Sequence, residues 1–98
     1  MRMLLKASPH GDAGNKAVLD GTFGRVLGQF MERFHPEAVY FTTENGERTA
    51  LLIFDLKSEA DMVAAAEPFW NELHATVDWA PVMTAEDVQK GLAALAKR

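Results

Sequence analysis

An α+β chain of βαββαβ order, with a four-stranded antiparallel sheet, two helices on one face and a further C-terminal helix, is predicted by three features of the sequence. Two β-rich runs flank Asn45-Gly46, apolar residues recur at helical spacing on either side of that hairpin, and a short apolar run stands at each end of the pattern. A chain of 98 residues, 48% hydrophobic and 24% charged, has room for one domain over 1–98 and not for two.

The first strand is expected over residues 2–8, RMLLKAS, ended by the turn formers Pro9-His10-Gly11-Asp12. From about Asn15 to Phe34, Leu19, Phe23, Val26, Leu27, Phe30 and Phe34 recur at spacings of three and four, which predicts one helix. His35-Pro36 stops it, because a residue before proline is pushed out of the α region. Asn45-Gly46 suits a two-residue type I′ turn, in which both central positions need positive φ. That turn sets Thr43 opposite Arg48, Phe41 opposite Ala50 and Tyr40 opposite Leu51. Val39, Phe41, Ala50, Leu52 and Phe54 then share one face, and Tyr40, Thr42, Thr49, Leu51 and Ile53 the other.

Ser58 and Asp61 resemble a capping box, with aspartate in place of the usual Glu or Gln, and open a second helix. Pro68 is expected to kink or break it before Phe69, Trp70 and Leu73. Residues 75–83, ATVDWAPVM, alternate as a fourth strand. Thr84 to Asp87 repeats the cap and starts a terminal helix with Val88, Leu92 and Leu95 as its apolar stripe and Lys97-Arg98 at the negative end of its dipole. The whole is a ferredoxin-like arrangement.

Gly21, Gly24 and Gly28 are unexpected inside a helix, since each costs about 1 kcal/mol relative to alanine. On a helical wheel they fall together, in line with Ala17 and roughly 130° from the centre of the apolar face. This predicts a small-residue seam that meets Ala64-Ala65-Ala66 of the second helix, the alternative being room for another group above the glycines.

A formal charge of −4 and a pI near 5.2, with scattered Lys and Arg, argue against nucleic-acid binding. With no cysteine, disulfides, thiolate metal sites and thiol nucleophiles are excluded, which fits a reducing compartment. Met3-Leu4-Leu5 is too short for a signal-peptide core and no stretch reaches the length of a membrane span, so a soluble, cytoplasmic protein is expected.

Two helices cover one sheet face, yet Tyr40, Leu51 and Ile53 make the other apolar as well. Such a patch exceeds what monomers usually leave wet, and a second copy packed sheet against sheet covers it most economically. The element order, the turn Pro68-Phe69-Trp70-Asn71, and the segment Val77-Asp78-Trp79-Ala80-Pro81-Val82 leading into an acidic cap resemble the dimeric α/β-barrel superfamily, in particular its small bacterial branches of unassigned function. The resemblance spans nearly the whole chain and implies a barrel closed between two protomers. That superfamily includes cofactor-free monooxygenases, muconolactone-isomerase-like enzymes, haem proteins and small proteins of no known activity. None of their catalytic motifs matches here residue by residue.

The three histidines, His10, His35 and His74, lack metal-ligand spacing, so no metal or cofactor is expected. His10 follows the end of a strand, where a loop residue can overhang a pocket. His35 reads as a helix cap and His74 as a linker. Lys6 and Asp78 each interrupt an apolar strand. With their strands adjacent they are expected to pair as a salt bridge, or to stay solvated at a rim, because an unpaired charge on a buried face costs several kcal/mol. In the functional reading, Asp78 or His10 handles protons, Tyr40 donates a hydrogen bond and Trp79 walls a flat ligand, with Lys6 beside them. The expected function is a small homodimeric protein that binds a small apolar or aromatic ligand or a partner. The alternative is a cofactor-independent monooxygenase or isomerase acting on a small aromatic or enol-like substrate.

Overall fold

Asn45 and Gly46 turn the chain at φ 53° and 78° in the computed structural model, which describes residues 1–97. Both lie in the left-handed region that a type I′ turn demands. The turn joins β2 (Ala38–Glu44) to β3 (Glu47–Asp55) with Thr43 opposite Arg48, Phe41 opposite Ala50 and Tyr40 opposite Leu51, the register that Asn-Gly dictates. β1 (Arg2–Pro9) lies between β3 and β4 (Ala75–Pro81), so the antiparallel sheet runs β2-β3-β1-β4. The predicted α+β, βαββαβ order with a C-terminal helix is therefore present.

Helices α1 (Gly11–Leu19), α2 (Thr22–Phe34) and α3 (Ala60–Leu73) supply one layer. Met3, Leu5, Ala7, Leu52 and Phe54 from the sheet close a core with Ala17, Val26, Phe30, Phe69 and Leu73 from those helices. Leu5, Phe54, Phe69 and Leu73 are wholly enclosed.

The single helix expected over 15–34 is two. Gly21 takes φ 91°, a left-handed conformation that breaks the ladder. The Asp20 carboxylate accepts hydrogen bonds from the Thr22 backbone N–H at 2.9 Å and the Thr22 hydroxyl at 2.6 Å, restarting the chain as α2. Leu19, placed on the apolar stripe by periodicity alone, is 85% exposed because α1 ends there. The glycine seam is also corrected. A Cβ at Gly24 or Gly28 would meet nothing within 4 Å, and both glycines face outward. Helices α2 and α3 meet elsewhere, with Phe30 edge-on to Phe69 at 5.9 Å and Arg25 paired with Glu72. Gly24→Ala and Gly28→Ala should therefore each raise stability by about 1 kcal/mol in urea denaturation, where a contact seam would have lost stability.

Pro68 lies inside an unbroken α3. Ala65 and Ala66 before it, and Phe69 and Leu73 after it, are all buried, so packing on both sides holds the helix together across the missing N–H. The Ser58–Asp61 box is not formed. Glu59 is the N-cap without a side-chain bond, and Asp61 N–H donates to the Ser58 backbone carbonyl at 3.1 Å instead. His35 and His74 both cap helix C-termini in the left-handed region, at φ 47° and 49°. No helix among the described residues is long and apolar enough to cross a membrane.

The second predicted cap does form. Thr84 Oγ1 accepts from Asp87 N–H at 3.1 Å, and Asp87 Oδ2 accepts from Thr84 N–H at 3.0 Å, opening α4 (Ala85–Ala96). Arg98, expected to complement the dipole, lies outside the described residues. The Thr84 backbone N–H, then the Thr84 hydroxyl, hold the Asp87 carboxyl below its ordinary value, and the Thr22 hydroxyl and N–H do the same for Asp20. A depressed carboxylate stabilises above its unfolded pKa of about 3.9 and loses that contribution as pH falls through the folded value. Helicity followed by circular dichroism should thus be flat above about pH 5 and fall below it. Thr84→Ala should start lower at neutral pH and merge with the parent curve in acid.

No side chain of α4 is buried. The helix starts beside Arg2, whose guanidinium is 3.8 Å from Asp87, and Val82 N–H donates to the Arg2 carbonyl at 3.2 Å. Beyond that root it projects. The molecule is 54 × 28 × 18 Å with a radius of gyration of 15.6 Å, against about 13 Å for a compact domain of this length.

Candidate functional site

Strand alternation sends Arg2, Leu4, Lys6 and Ser8 of β1 to the face away from α1–α3, and the register lines up their neighbours in rows. Ala38, Ile53, Leu4 and Ala80 make an apolar row. The next row is Tyr40, Leu51, Lys6 and Asp78. Beyond it lie hydroxyls, Thr42 opposite Thr49 and Ser8 opposite Thr76. Glu44 opposite Glu47 closes the hairpin end. Three of the residues singled out from sequence, Lys6, Tyr40 and Asp78, therefore share one row.

Trp79 does not join them. As the neighbour of Asp78 it points to the helical side, 5.9 Å from Phe54, and belongs to the core wall. Lys6 is opposite Asp78 in register, but its Nζ donates to Glu44 Oε1 at 3.1 Å, so the expected Lys6–Asp78 bridge is replaced by one reaching across β3. Asp78 is exposed and forms no ion pair among the described residues. Nothing in the local sequence singles out Glu44 as the partner, because the β1–β3 register is not written in any short motif.

Thr49 is the buried polar residue of this face, 2% exposed. Its hydroxyl donates to the Glu47 carbonyl at 3.1 Å and accepts from Ser8 Oγ at 2.7 Å, which satisfies it. That bond leads to His10. His10 Nδ1 lies 2.7 Å from Glu47 Oε1, at the edge of an open cleft of about 330 Å³ lined by Pro9, Gly11, Asn15 and Arg48. With Nδ1–H donating to the carboxylate, Nε2 is left as the free basic nitrogen, and His10 is mostly exposed. The strand end and the hairpin tip build this pair.

On the opposite side, Phe30, Phe34, Pro68 and Phe69 line a groove of about 120 Å³ between α2 and α3. None of the predicted site residues reaches it, and it is smaller than ordinary ligand pockets. At the far end of the second face the Glu37 hydrogen bond holds Arg2 above its ordinary value, and the N-terminal ammonium bonded to Asp55 holds that carboxyl below its own. Among the described residues no group of three His, Asp or Glu is placed to hold a metal ion. The chain matches no known protein-family model, and no curated protein is significantly similar to it.

Proposed function

We propose that the chain is a homodimeric α/β-barrel protein of the cytoplasm, in which two copies turn their second sheet faces together around a small ligand. The observation that carries this reading is the uncovered face itself. Tyr40 is 62% exposed beside half-buried Leu4, Leu51 and Ile53, an apolar surface that no helix among the described residues covers.

The layering of that face selects the ligand. The apolar row and Tyr40 accept a flat hydrocarbon portion, and the hydroxyl row accepts an oxygen-bearing end. Glu44, Glu47 and Asp78 outnumber Lys6 there, so a carboxylate or phosphate is repelled and a neutral phenol- or enol-like group is favoured. Sedimentation velocity at micromolar concentration should give a dimer, and native mass spectrometry of freshly purified protein should find such a molecule retained. A stable monomer would overturn the reading.

The His10–Glu47 pair favours a second reading, a cofactor-independent monooxygenase or isomerase in which His10 Nε2 removes a proton from that substrate class. His10→Gln should then abolish turnover of the retained molecule while leaving its binding intact. Equal turnover in both proteins would dispose of this role.

A further inference from the structure

Helix α4 carries its own unmet demand. Val88, Leu92 and Leu95 are 42%, 56% and 58% exposed and share one side of the helix, while Glu86 and Lys90, paired at 3.2 Å, lie on the other. An amphipathic helix gains most of its stability from burying such a stripe. Here the root is fixed by the Thr84–Asp87 box, the Asp87–Arg2 pair and the Val82–Arg2 hydrogen bond, so the helix is held away from its own core.

We infer that α4 is an exchange arm, whose Val88–Leu92–Leu95 stripe packs on a partner copy at the Leu4–Ile53 end of its second sheet face and closes that end of the space between the two sheets. The inference rests on the homodimer proposed above. Two apolar surfaces, one on the arm and one on the sheet, are left open in the same chain, and two-fold symmetry matches each to the other's counterpart. The exposed area points to an occupant of this size. A compact monomer of 10.8 kDa exposes roughly 5,500 Å², and this chain exposes 6419 Å². The surplus is comparable to the roughly 800 Å² that each partner buries in a stable complex.

Sedimentation equilibrium on three proteins tests the inference: the parent chain, the arm variant Leu92→Glu/Leu95→Glu, and the face variant Ile53→Glu. The arm variant should dissociate roughly a hundredfold more readily. Its circular dichroism should be unchanged, since glutamate is a good helix former and no α4 side chain is buried in its own chain. Mixing arm and face variants should yield mixed dimers tighter than either homodimer, because one intact arm then meets one intact face. An arm variant as tightly dimeric as the parent, or no gain on mixing, would overturn the arm and leave the dimer standing. A monomeric parent chain would overturn both.

Discussion

Phe54→Ala should destabilise the protein by about 3–5 kcal/mol, the range for removing an enclosed aromatic ring. Phe54 has no exposed surface, and its ring meets Phe30 edge-on at 5.1 Å, Phe34 at 5.3 Å and Trp79 at 5.9 Å. Phe30 also touches Phe34 and Phe69, so β3, β4, α2 and α3 are tied together by one aromatic cluster. A cavity there cannot be refilled by one neighbour without unseating another. Against a total of about 5–15 kcal/mol, the loss leaves little, and calorimetry should show the melting temperature lower by about 15–30 °C. Phe54→Leu should recover more than half of the loss. A shift of only a few degrees for alanine would mean that the cluster collapses to fill the gap.

Gly14→Ala should cost about 1–3 kcal/mol, although alanine is the better helix former. A Cβ at Gly14 would lie 2.7 Å from the carbonyl carbon of Pro9 and 3.2 Å from its Cα and Cβ. Backbone at the end of a central strand cannot move aside, so α1 would have to lift from β1. Gly14 N–H also donates to the His10 carbonyl at 3.0 Å, and lifting α1 would strain the loop that sets His10 against Glu47. The same substitution at Gly24, where space is open, should act in the opposite direction. Urea midpoints for the two variants, measured side by side, check both signs at once.

These two glycines show where reading from sequence succeeds and where it stops. Asn45-Gly46 fixed the hairpin register residue by residue, since few turns accept positive φ at both positions. The Thr84–Asp87 box was equally legible, being a local exchange of hydrogen bonds. The glycines at 21, 24 and 28 look alike on a helical wheel, but one breaks the helix by its backbone and two merely face solvent. A wheel assumes the helix it is drawn on. Gly14, where two elements press together, carried no periodic signal at all. For the candidate site, Lys6, Tyr40 and Asp78 fell in one row because strand alternation and the order of strands were both readable. Trp79, next to Asp78 in the chain, faces the opposite side by that same alternation, so it cannot wall a ligand held on the row of Asp78. The Lys6–Glu44 and His10–Glu47 pairs depend on how far two distant strands slide past each other, which no short segment encodes.

The place of β1 in the sheet has a consequence for the chain as it is made. One edge of β1 pairs with β3, and the other pairs Met3 with Pro81 and Pro9 with Ala75. The second edge therefore stays open until β4 has emerged from the ribosome, and closing so long a loop is slow. During that interval the unpaired backbone edge of β1 and its apolar side chains Met3, Leu5 and Ala7 are open to pairing with other chains.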